Sequence, residues 1–386
     1  MNRTLLKLTL LSVSLLLMGS MSIAPVLGVI SQAFPAATPT QIQMLIALPG
    51  LVLIPFSILS GGLATRFPKR PILWTGLVVF LLGGIAPIWA RGYGQMLFLR
   101  VVFGVGLGII TPFASGLIAD FFEGQERAKL IGFQSAVVSF GAILTSLLAG
   151  LLGVAGWRNA FWVYLIAVPV LVLTLVGCPE PPRSGEPGEK AGPNGPVFLI
   201  AAWALLYALC YFTFFTNTAL LIQGENLGTA AASGIAITLM TVGGLMVGMG
   251  FGAIHRLCGR FTPVLSLFLT ALGFLVLAQS SALAGVFVGA LVIGAGFGIT
   301  MPFMTLRVTQ VAPRPAITLS LAIMLSFVNI GSFISPPIFV GLGGVLGHPG
   351  ERFTFLLTTL FLAFAAVVTL VKLLVGRSPV PGSAHR

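Results

Sequence analysis

Apolar runs of about twenty residues recur along the whole chain, and this pattern limits its possible folds more than any other feature. Twenty residues of α-helix rise about 30 Å, which is the thickness of the hydrocarbon core of a bilayer. The 386 residues are 57% hydrophobic and 7% charged, whereas a soluble domain carries about 25% charged residues. The sequence therefore predicts an all-α polytopic membrane protein. We expect twelve transmembrane helices, at roughly residues 6–33, 41–65, 72–90, 95–119, 130–153, 160–177, 197–221, 230–254, 262–279, 282–306, 316–342 and 353–375.

The chain also repeats itself at an offset of 190 residues. This offset is much longer than the repeat unit of a solenoid, so it indicates two similar halves of six helices each. Two related halves built of membrane helices are typical of secondary transporters. The residues that recur are Gly62, Arg66 and Arg70 as Gly252, Arg256 and Arg260; Gly104, Gly106, Gly108, Pro112 and Phe113 as Gly294, Gly296, Gly298, Pro302 and Phe303; and Gly141 as Gly331.

One stretch near the middle of the chain is rich in proline, glycine and charge. It reads PEPPRSGEPGEKAGPNGP over residues 179–196. This composition is typical of a flexible linker. We therefore expect an N-terminal bundle over 1–178, a cytoplasmic linker over 179–196 and a C-terminal bundle over 197–386.

The net charge of +12 is distributed unevenly between the two ends of the predicted helices. Sixteen Lys and Arg fall on the side of the N-terminus and three, Arg91, Arg158 and Arg352, on the other side; Arg100 lies within a helix. Cytoplasmic loops carry this excess of positive charge. The pattern predicts a multi-pass protein of the cytoplasmic membrane with both termini inside, and it argues against nucleic acid as a partner.

The sequence offers no chemistry for an enzyme. Its three cysteines and three histidines are widely spaced, so they indicate neither a disulfide framework nor a metal site. The glycine motifs GVGLG and GAGFG lack the spacing of a nucleotide-binding loop, and we expect them to permit close helix packing instead. We expect no cofactor and no catalytic residue.

Three motifs resemble those of the major facilitator superfamily. The loop GLATRFPKR from Gly62 to Arg70 is similar to motif A of that family, except that Thr65 and Pro68 replace its usual Asp and Gly. Arg100 followed by Gly104 is similar to motif B, and residues 156–161, GWRNAF, match GWR-x-x-F. The resemblance implies two pseudo-symmetric six-helix bundles around a central cavity, and it points to the branch that exports drugs and metabolites.

Charged residues at the predicted cytoplasmic helix ends are candidates for a gate. Gly62 lies at the end of the second helix, and Arg66 and Arg70 lie in the loop after it. Asp120 and Glu126 lie at the matching end of the fourth helix and in the loop after that helix. Salt bridges there would form in one transport state and break in the other. The repeat places Arg256 and Arg260 at the equivalent end of the eighth helix. The alternative is that these arginines only set the topology and bind lipid headgroups.

The predicted membrane interior lacks carboxylates, because all eight acidic residues fall in loops or at helix ends. Substrates should therefore be neutral, amphipathic or anionic rather than cationic. Arg100 is a candidate for anion binding, or alternatively a structural donor to neighbouring carbonyls. The other candidate substrate-binding residues are Gln134, Tyr207, Tyr211, Asn217 and Asn329.

The sequence thus favours a secondary active transporter that works by alternating access and exports small hydrophobic or amphipathic compounds. One alternative is uptake or exchange of a small organic anion through Arg100. A membrane receptor without transport activity is a second. We expect a monomer whose partners are a small-molecule substrate and the lipid bilayer, and the sequence leaves open whether a proton is the coupling ion.

Overall fold

The computed structural model describes residues 3–181, 192–313 and 316–375, and this part of the chain is helical without strands. Eleven helices are long and apolar enough to cross a membrane, and the broken first helix makes a twelfth. The prediction of twelve helices is therefore confirmed. We number them α1 (Arg3–Leu16 and Gly19–Ala33), α2 (Pro39–Leu63), α3 (Lys69–Trp89), α4 (Tyr93–Phe121), α5 (Gly124–Val154), α6 (Trp157–Gly177), α7 (Gly195–Gly224), α8 (Ala230–Met249), α9 (Thr262–Gln279), α10 (Leu283–Val311), α11 (Ile317–Val345) and α12 (Glu351–Val375).

Glycines on α4 and α10 allow both helices to approach two neighbours closely. A methyl group added at Gly104 or Gly108 would meet the backbone of α2, and one added at Gly106 would meet the backbone of α3. Glycine is required here because any side chain would push the helices apart. The corresponding contacts in the second half are Gly294 and Gly298 with α8, and Gly296 with α9. The expected packing role of these glycine motifs is thus confirmed.

The same register relates contacts between other helices. Gly141 on α5 lies against the backbone of Leu15 on α1, and Gly331 on α11 lies against the backbone of Leu205 on α7. Both members of the first pair are 190 positions before their counterparts. The repeat in the sequence therefore corresponds to a repeat in three dimensions.

The last helix of each half continues the repeat at a different offset. Arg158 of α6 donates to the carbonyls of Ile88 and Ala90, both at 3.0 Å. Arg352 of α12 donates to the carbonyls of Ala278 and Ser280, at 2.8 and 2.6 Å. These two acceptors are 190 positions after Ile88 and Ala90. The two arginines are 194 positions apart, so the second half has gained four residues before α12. A search at a constant offset misses this pair.

We call the end of the bundle that holds the turns 64–68, 122–123 and 259–261 the basic end, and the opposite end the far end. Helices α5 and α8 touch near the far end, where a methyl group on Gly150 would lie 2.7 Å from the carbonyl oxygen of Ala230. Gly132 is eighteen residues before Gly150, which is five helical turns and hence the same face. Nothing lies within 4 Å of a methyl group on Gly132. The two helices therefore diverge toward the basic end.

Helices α2 and α11 diverge in the same direction. A methyl group on Gly50 would lie 3.2 Å from Oδ1 of Asn329, near the middle of both helices. Gly61 is eleven residues further on, about three turns, and so shares the face of Gly50. No atom lies within 4 Å of a methyl group on Gly61. Both seams between the halves are thus closed toward the far end, and the cleft between them opens at the basic end.

Candidate functional site

A hydrogen bond between two buried amides joins the halves on the far side of the cleft. Gln43 of α2 donates from Nε2 to Oδ1 of Asn217 on α7 at 2.9 Å, and the two residues are 2% and 3% exposed. Asn217 in turn donates from Nδ2 to the carbonyl of Thr213 at 3.0 Å and to Oγ1 of Thr216 at 2.8 Å. The Asn217 amide is therefore held in place by its own helix.

A second glutamine makes a similar connection. Gln223, one turn and a half further along α7, donates from Nε2 to the carbonyl of Pro25 on α1 at 2.8 Å. Gly28 on α1 leaves the room for this approach, because a methyl group there would meet Gln223 and the carbonyl of Ala219. Gln43, Asn217, Gln223 and Pro25 together form what we call the far-end gate.

The far-end gate contains one residue that the sequence interpretation named and two polar residues that it missed. Asn217 was expected to bind substrate, and the structure places it in a contact between the halves. Gln43 and Gln223 were not singled out. Their signal in the sequence is an amide side chain inside or at the end of an apolar run, a position where a polar group must find a partner.

Two further candidates lie on helices that border the cleft. Asn329 is half-buried on α11, where it faces Gly50 of the other half. Its Nδ2 donates to the carbonyl of Leu325 at 3.0 Å. Gln134 is buried on α5. Asn329 is thus the candidate that the structure places at the middle of the seam between the halves, and its binding role stays a prediction.

The candidates Tyr207 and Tyr211 lie one turn apart on one face of α7, and this face packs inside the C-terminal half. Tyr207 and Tyr211 stack on each other with ring centroids 5.8 Å apart, and Tyr211 stacks on Phe297 of α10 at 4.4 Å. The hydroxyl of Tyr207 is 3.2 Å from Oγ1 of Thr270 on α9, and that of Tyr211 donates to the sulfur of Met240 on α8. In this state the two tyrosines therefore contact their own half.

Arg100 is completely buried, at 0% exposure, inside the N-terminal half. Its Nε donates to the carbonyl of Leu45 at 2.8 Å, Nη1 to the hydroxyl of Tyr164 at 2.9 Å and Nη2 to the carbonyl of Ser20 at 3.1 Å. The guanidinium also lies 4.4 Å from the ring centroid of Phe103. Carbonyl dipoles and an aromatic face thus stabilise the charge.

The sequence of α2 explains why Leu45 needs this donor. In an α-helix the carbonyl of Leu45 would accept the N–H of residue 49, but residue 49 is proline, which has none. Arg100 supplies the missing donor from α4. Ser20, its other carbonyl partner, lies in the broken part of α1, where short 3₁₀ turns replace the regular helix. Arg100 therefore ties two interrupted helices together.

The acidic residues of the expected gate form ion pairs within the N-terminal half. Lys69 donates to both carboxylate oxygens of Asp120, at 2.9 and 2.7 Å, and this pair is largely shielded from solvent. Glu126 pairs with Lys7 at 2.7 Å and with Arg3 at 3.6 Å. These pairs connect neighbouring helices of one half and do not cross the cleft.

The basic residues of motif A have different surroundings. Arg66 is exposed in the turn at the basic end. The expected contact of Arg66 with Asp120 or Glu126 belongs to the state in which this end is closed, so it stays a prediction. Arg70 donates to the carbonyl of Leu175 at 3.4 Å and lies 4.7 Å from the ring centroid of Trp74.

Glu180 is a functional candidate that the sequence interpretation missed. Its two carboxylate oxygens accept the backbone N–H groups of Lys69 and Arg70 at 2.5 and 3.2 Å. A carboxylate in this position caps the positive end of a helix dipole. Burial raises the pKa of the neighbouring Cys178 thiol to about 11, so this thiol stays protonated.

The remaining gate candidates lie at the basic end as the repeat predicted. Gly62 and Gly252 each have open space around them, and Arg256 and Arg260 are exposed at the end of the short helix Phe251–Cys258 and in the turn after it. Among the described residues, no group of three or more His, Cys, Asp or Glu is arranged to hold a metal ion.

Comparison with known proteins agrees with this architecture. Over 96% of this chain and 97% of the other, the structure superposes on the crystal structure of a D-xylose-proton symporter, with a TM-score of 0.76 and 16% identity. A bacterial homolog of the human lysosomal transporter Spinster, solved in an inward-facing and occupied conformation, gives a TM-score of 0.74 at 17% identity over 97% and 98% of the two chains. These likenesses establish the fold.

Relatives identified by sequence match shorter stretches. The chain is 31% identical over 140 residues to the multidrug transporter AQR1 of Candida glabrata, which covers 36% of this chain and 24% of the relative. It is 26% identical over 150 residues to the quinolone resistance protein NorA of Staphylococcus aureus, which covers 38% of each. The match thus spans well under half of either relative.

The family itself is shown by a longer match. The sequence fits the Major Facilitator Superfamily over residues 9–336, which includes the expected motifs A and B and most of both halves. The repeat of helix contacts and the cleft between the halves agree with that assignment. The chain belongs to the major facilitator superfamily.

Proposed function

We propose that this protein is a secondary active transporter that exports small hydrophobic or amphipathic compounds by alternating access. The observation that carries the proposal is the cleft between the halves, closed by the far-end gate and open at the basic end. A cleft of this kind admits a ligand from one side only. Transport then requires the gate to open as the basic end closes.

The chemistry of the spans supports neutral or amphipathic substrates. The carboxylates of Asp120, Glu126 and Glu180 lie at the basic end, and that of Glu225 lies at the far end, bound to Arg352 at 2.6 Å. A cation that left water for the middle of the cleft would therefore meet no counter-charge from these groups, and its desolvation would oppose binding. The two relatives that are named for drug transport and quinolone resistance are consistent with this proposal.

The alternative, exchange of a small organic anion through Arg100, is less well supported by the geometry. Each nitrogen of the guanidinium already donates a hydrogen bond within the N-terminal half. An anion would have to displace Leu45, Tyr164 or Ser20 and leave a buried acceptor without its donor, which costs about 1–3 kcal/mol for each group. We therefore propose a structural role for Arg100.

We further propose that residues 1–178 and 197–386 move as the two rigid units, with the linker over 179–196 between them and the basic end in the cytoplasm. Reporter fusions test this topology. A fusion after Arg66 should read as cytoplasmic, and a fusion after Arg91 should read as external. The reverse pattern would refute the assignment of the two ends.

A transport assay in proteoliposomes tests the function itself. Three probes distinguish export of neutral compounds from transport of anions or cations. They are chloramphenicol as a neutral amphiphile, benzoate as an aromatic anion and ethidium as a permanent cation. We expect saturable transport of the neutral probe. Measuring it with and without an imposed proton gradient tests whether a proton is the coupling ion. Saturable transport of ethidium alone would overturn the charge argument. Anion exchange through Arg100 would be favoured if benzoate is transported, Arg100→Gln abolishes that transport and chloramphenicol is not transported.

A further inference from the structure

A second cavity lies inside the C-terminal half at the basic end, away from the cleft between the halves. Its volume is about 680 Å³. We call it the basic cleft and define it by six of its lining residues: Trp203 of α7, His255 and Arg260 between α8 and α9, and Phe303, Arg307 and Gln310 of α10. The proposed transport path does not include it.

The repeat gives the equivalent place in the N-terminal half, and the two differ in charge. Asp120 is the counterpart of Gln310, and Lys69 is the counterpart of Gly259, each 190 positions apart. In the N-terminal half Lys69 and Asp120 form a salt bridge at 2.7 Å. The second half therefore replaces an ion pair by a glycine and a neutral amide.

The basic cleft also gains a cation that the first half lacks. Arg307, one turn before Gln310, corresponds to the apolar Leu117. Its Nη1 donates to Oε1 of Gln310 at 3.3 Å. Arg307 is exposed and lines the basic cleft. The described residues that line the basic cleft include Arg260 and Arg307 and no Asp or Glu. With Arg70 as the counterpart of Arg260, the first half has two cations and one carboxylate at these positions. The wall of the basic cleft has two cations and no carboxylate, so it is more positive by one charge.

The aromatic and histidine side chains complete the wall. His255 is stacked on Phe251 with centroids 5.5 Å apart, and its Nδ1 is 2.9 Å from Oγ1 of Thr262. Trp203 of α7 lines the same cleft. Basic pockets between helices on the cytoplasmic side of a membrane bind phosphate-bearing headgroups.

An apolar groove lies beside the basic cleft on the outer side of α9 and α12. Its volume is about 780 Å³, and one wall runs from Phe261, directly before α9, to Leu275 of α9. Fourteen residues of helix rise about 21 Å, more than the ~15 Å depth of one leaflet. Arg260 of the basic cleft lies 5.1 Å from the ring centroid of Phe261 in the groove, so the two cavities adjoin at this residue pair.

We propose that this region is a binding site for one anionic phospholipid. The phosphate lies in the basic cleft at Arg307 and Arg260, and an acyl chain lies along the groove between α9 and α12. The site is separate from the far-end gate and from the seam between the halves. It would hold the basic end of the C-terminal half to the lipid surface while the halves move.

Native mass spectrometry of the purified full-length protein tests the proposal. The protein is titrated with dioleoyl phosphatidylglycerol and, separately, with dioleoyl phosphatidylcholine. We expect one phosphatidylglycerol to be retained in preference to phosphatidylcholine. Arg307→Gln should weaken that binding about fivefold, the contribution of one basic residue near an anionic surface. Arg127→Gln, an equal charge change at an exposed position on α5, should leave it unchanged.

Two further probes identify the source of the phosphate. Dihexanoyl phosphatidylglycerol, with chains too short to fill the groove, should bind more weakly than the dioleoyl lipid. Inorganic phosphate at millimolar concentration should not displace the dioleoyl lipid. Equal retention by Arg307→Gln and the unaltered protein, equal retention of the two dioleoyl lipids, or full displacement by inorganic phosphate would each overturn the proposal.

Discussion

The contact between Arg100 and the carbonyl that Pro49 leaves without a donor makes a quantitative prediction. Replacing Arg100 by Met keeps the unbranched apolar stem of the side chain and removes every donor. The carbonyls of Leu45 and Ser20 then lose the hydrogen bonds of 2.8 and 3.1 Å. An unsatisfied buried carbonyl costs about 1–3 kcal/mol, so the two cost about 2–6 kcal/mol. Relief of a buried charge offsets part of this, and we expect a net loss of about 3 kcal/mol in the free energy of unfolding.

A second substitution separates the lost hydrogen bond from general damage to the core. Pro49→Ala restores a backbone N–H that can reach the carbonyl of Leu45 in the regular helical pattern. In that background Arg100→Met should cost about 1 kcal/mol less than it does in the unaltered protein, which is the net value of one hydrogen bond. The four proteins form a double-mutant cycle whose coupling energy reports this one interaction.

Equilibrium unfolding by sodium dodecyl sulfate in dodecylmaltoside micelles measures all four free energies. Arg91→Met, at an exposed position in the turn between α3 and α4, serves as the control and should stay within about 0.5 kcal/mol. Two results would refute the reasoning. One is an Arg100→Met variant as stable as the control. The other is a coupling energy of zero with Pro49→Ala.

Two other changes test the packing of α10 and the far-end gate. Gly298→Ala places a methyl group against a backbone carbonyl of α8 and should lower the free energy of unfolding by about 1–3 kcal/mol. The control is Gly61→Ala, whose added methyl group has no atom within 4 Å and should cause no such loss. Equal losses for the two variants in the same unfolding assay would contradict the packing argument. Joining Gln43→Cys to Asn217→Cys with a short reducible cross-linker, in a variant without native cysteines, should stop transport, and reduction should restore it. Undiminished transport after complete cross-linking would show that these residues do not gate the cleft.

The sequence was sufficient to predict features that depend on local composition and on the repeat. Twelve helices follow from apolar runs, because backbone groups in a bilayer must be satisfied within each helix. The glycines of α4 and α10 were expected at close helix contacts, and the structure places Gly104 and Gly294 there. The shared face of Tyr207 and Tyr211 follows from their spacing of four residues.

The partners of polar side chains were beyond what the sequence could give. Gln43 and Asn217 are 174 positions apart, and no pattern in either helix identifies the other. Arg100 is similar: the sequence contains the arginine and Pro49 as separate features, and only the packing of α4 against α2 makes one the donor for the other. A buried polar group needs some partner, but the choice depends on which helices become neighbours.

The sequence by itself determined the helices, their repeat and the end where positive charge accumulates, because the hydrophobic effect and backbone hydrogen bonding act locally. The tertiary structure alone decided that the cleft opens at the basic end and that Asn217 contacts Gln43 across the halves. It also decided that Asp120 pairs with Lys69. These features depend on how two preformed bundles pack, and packing arrangements that differ by a few kcal/mol share the same sequence pattern.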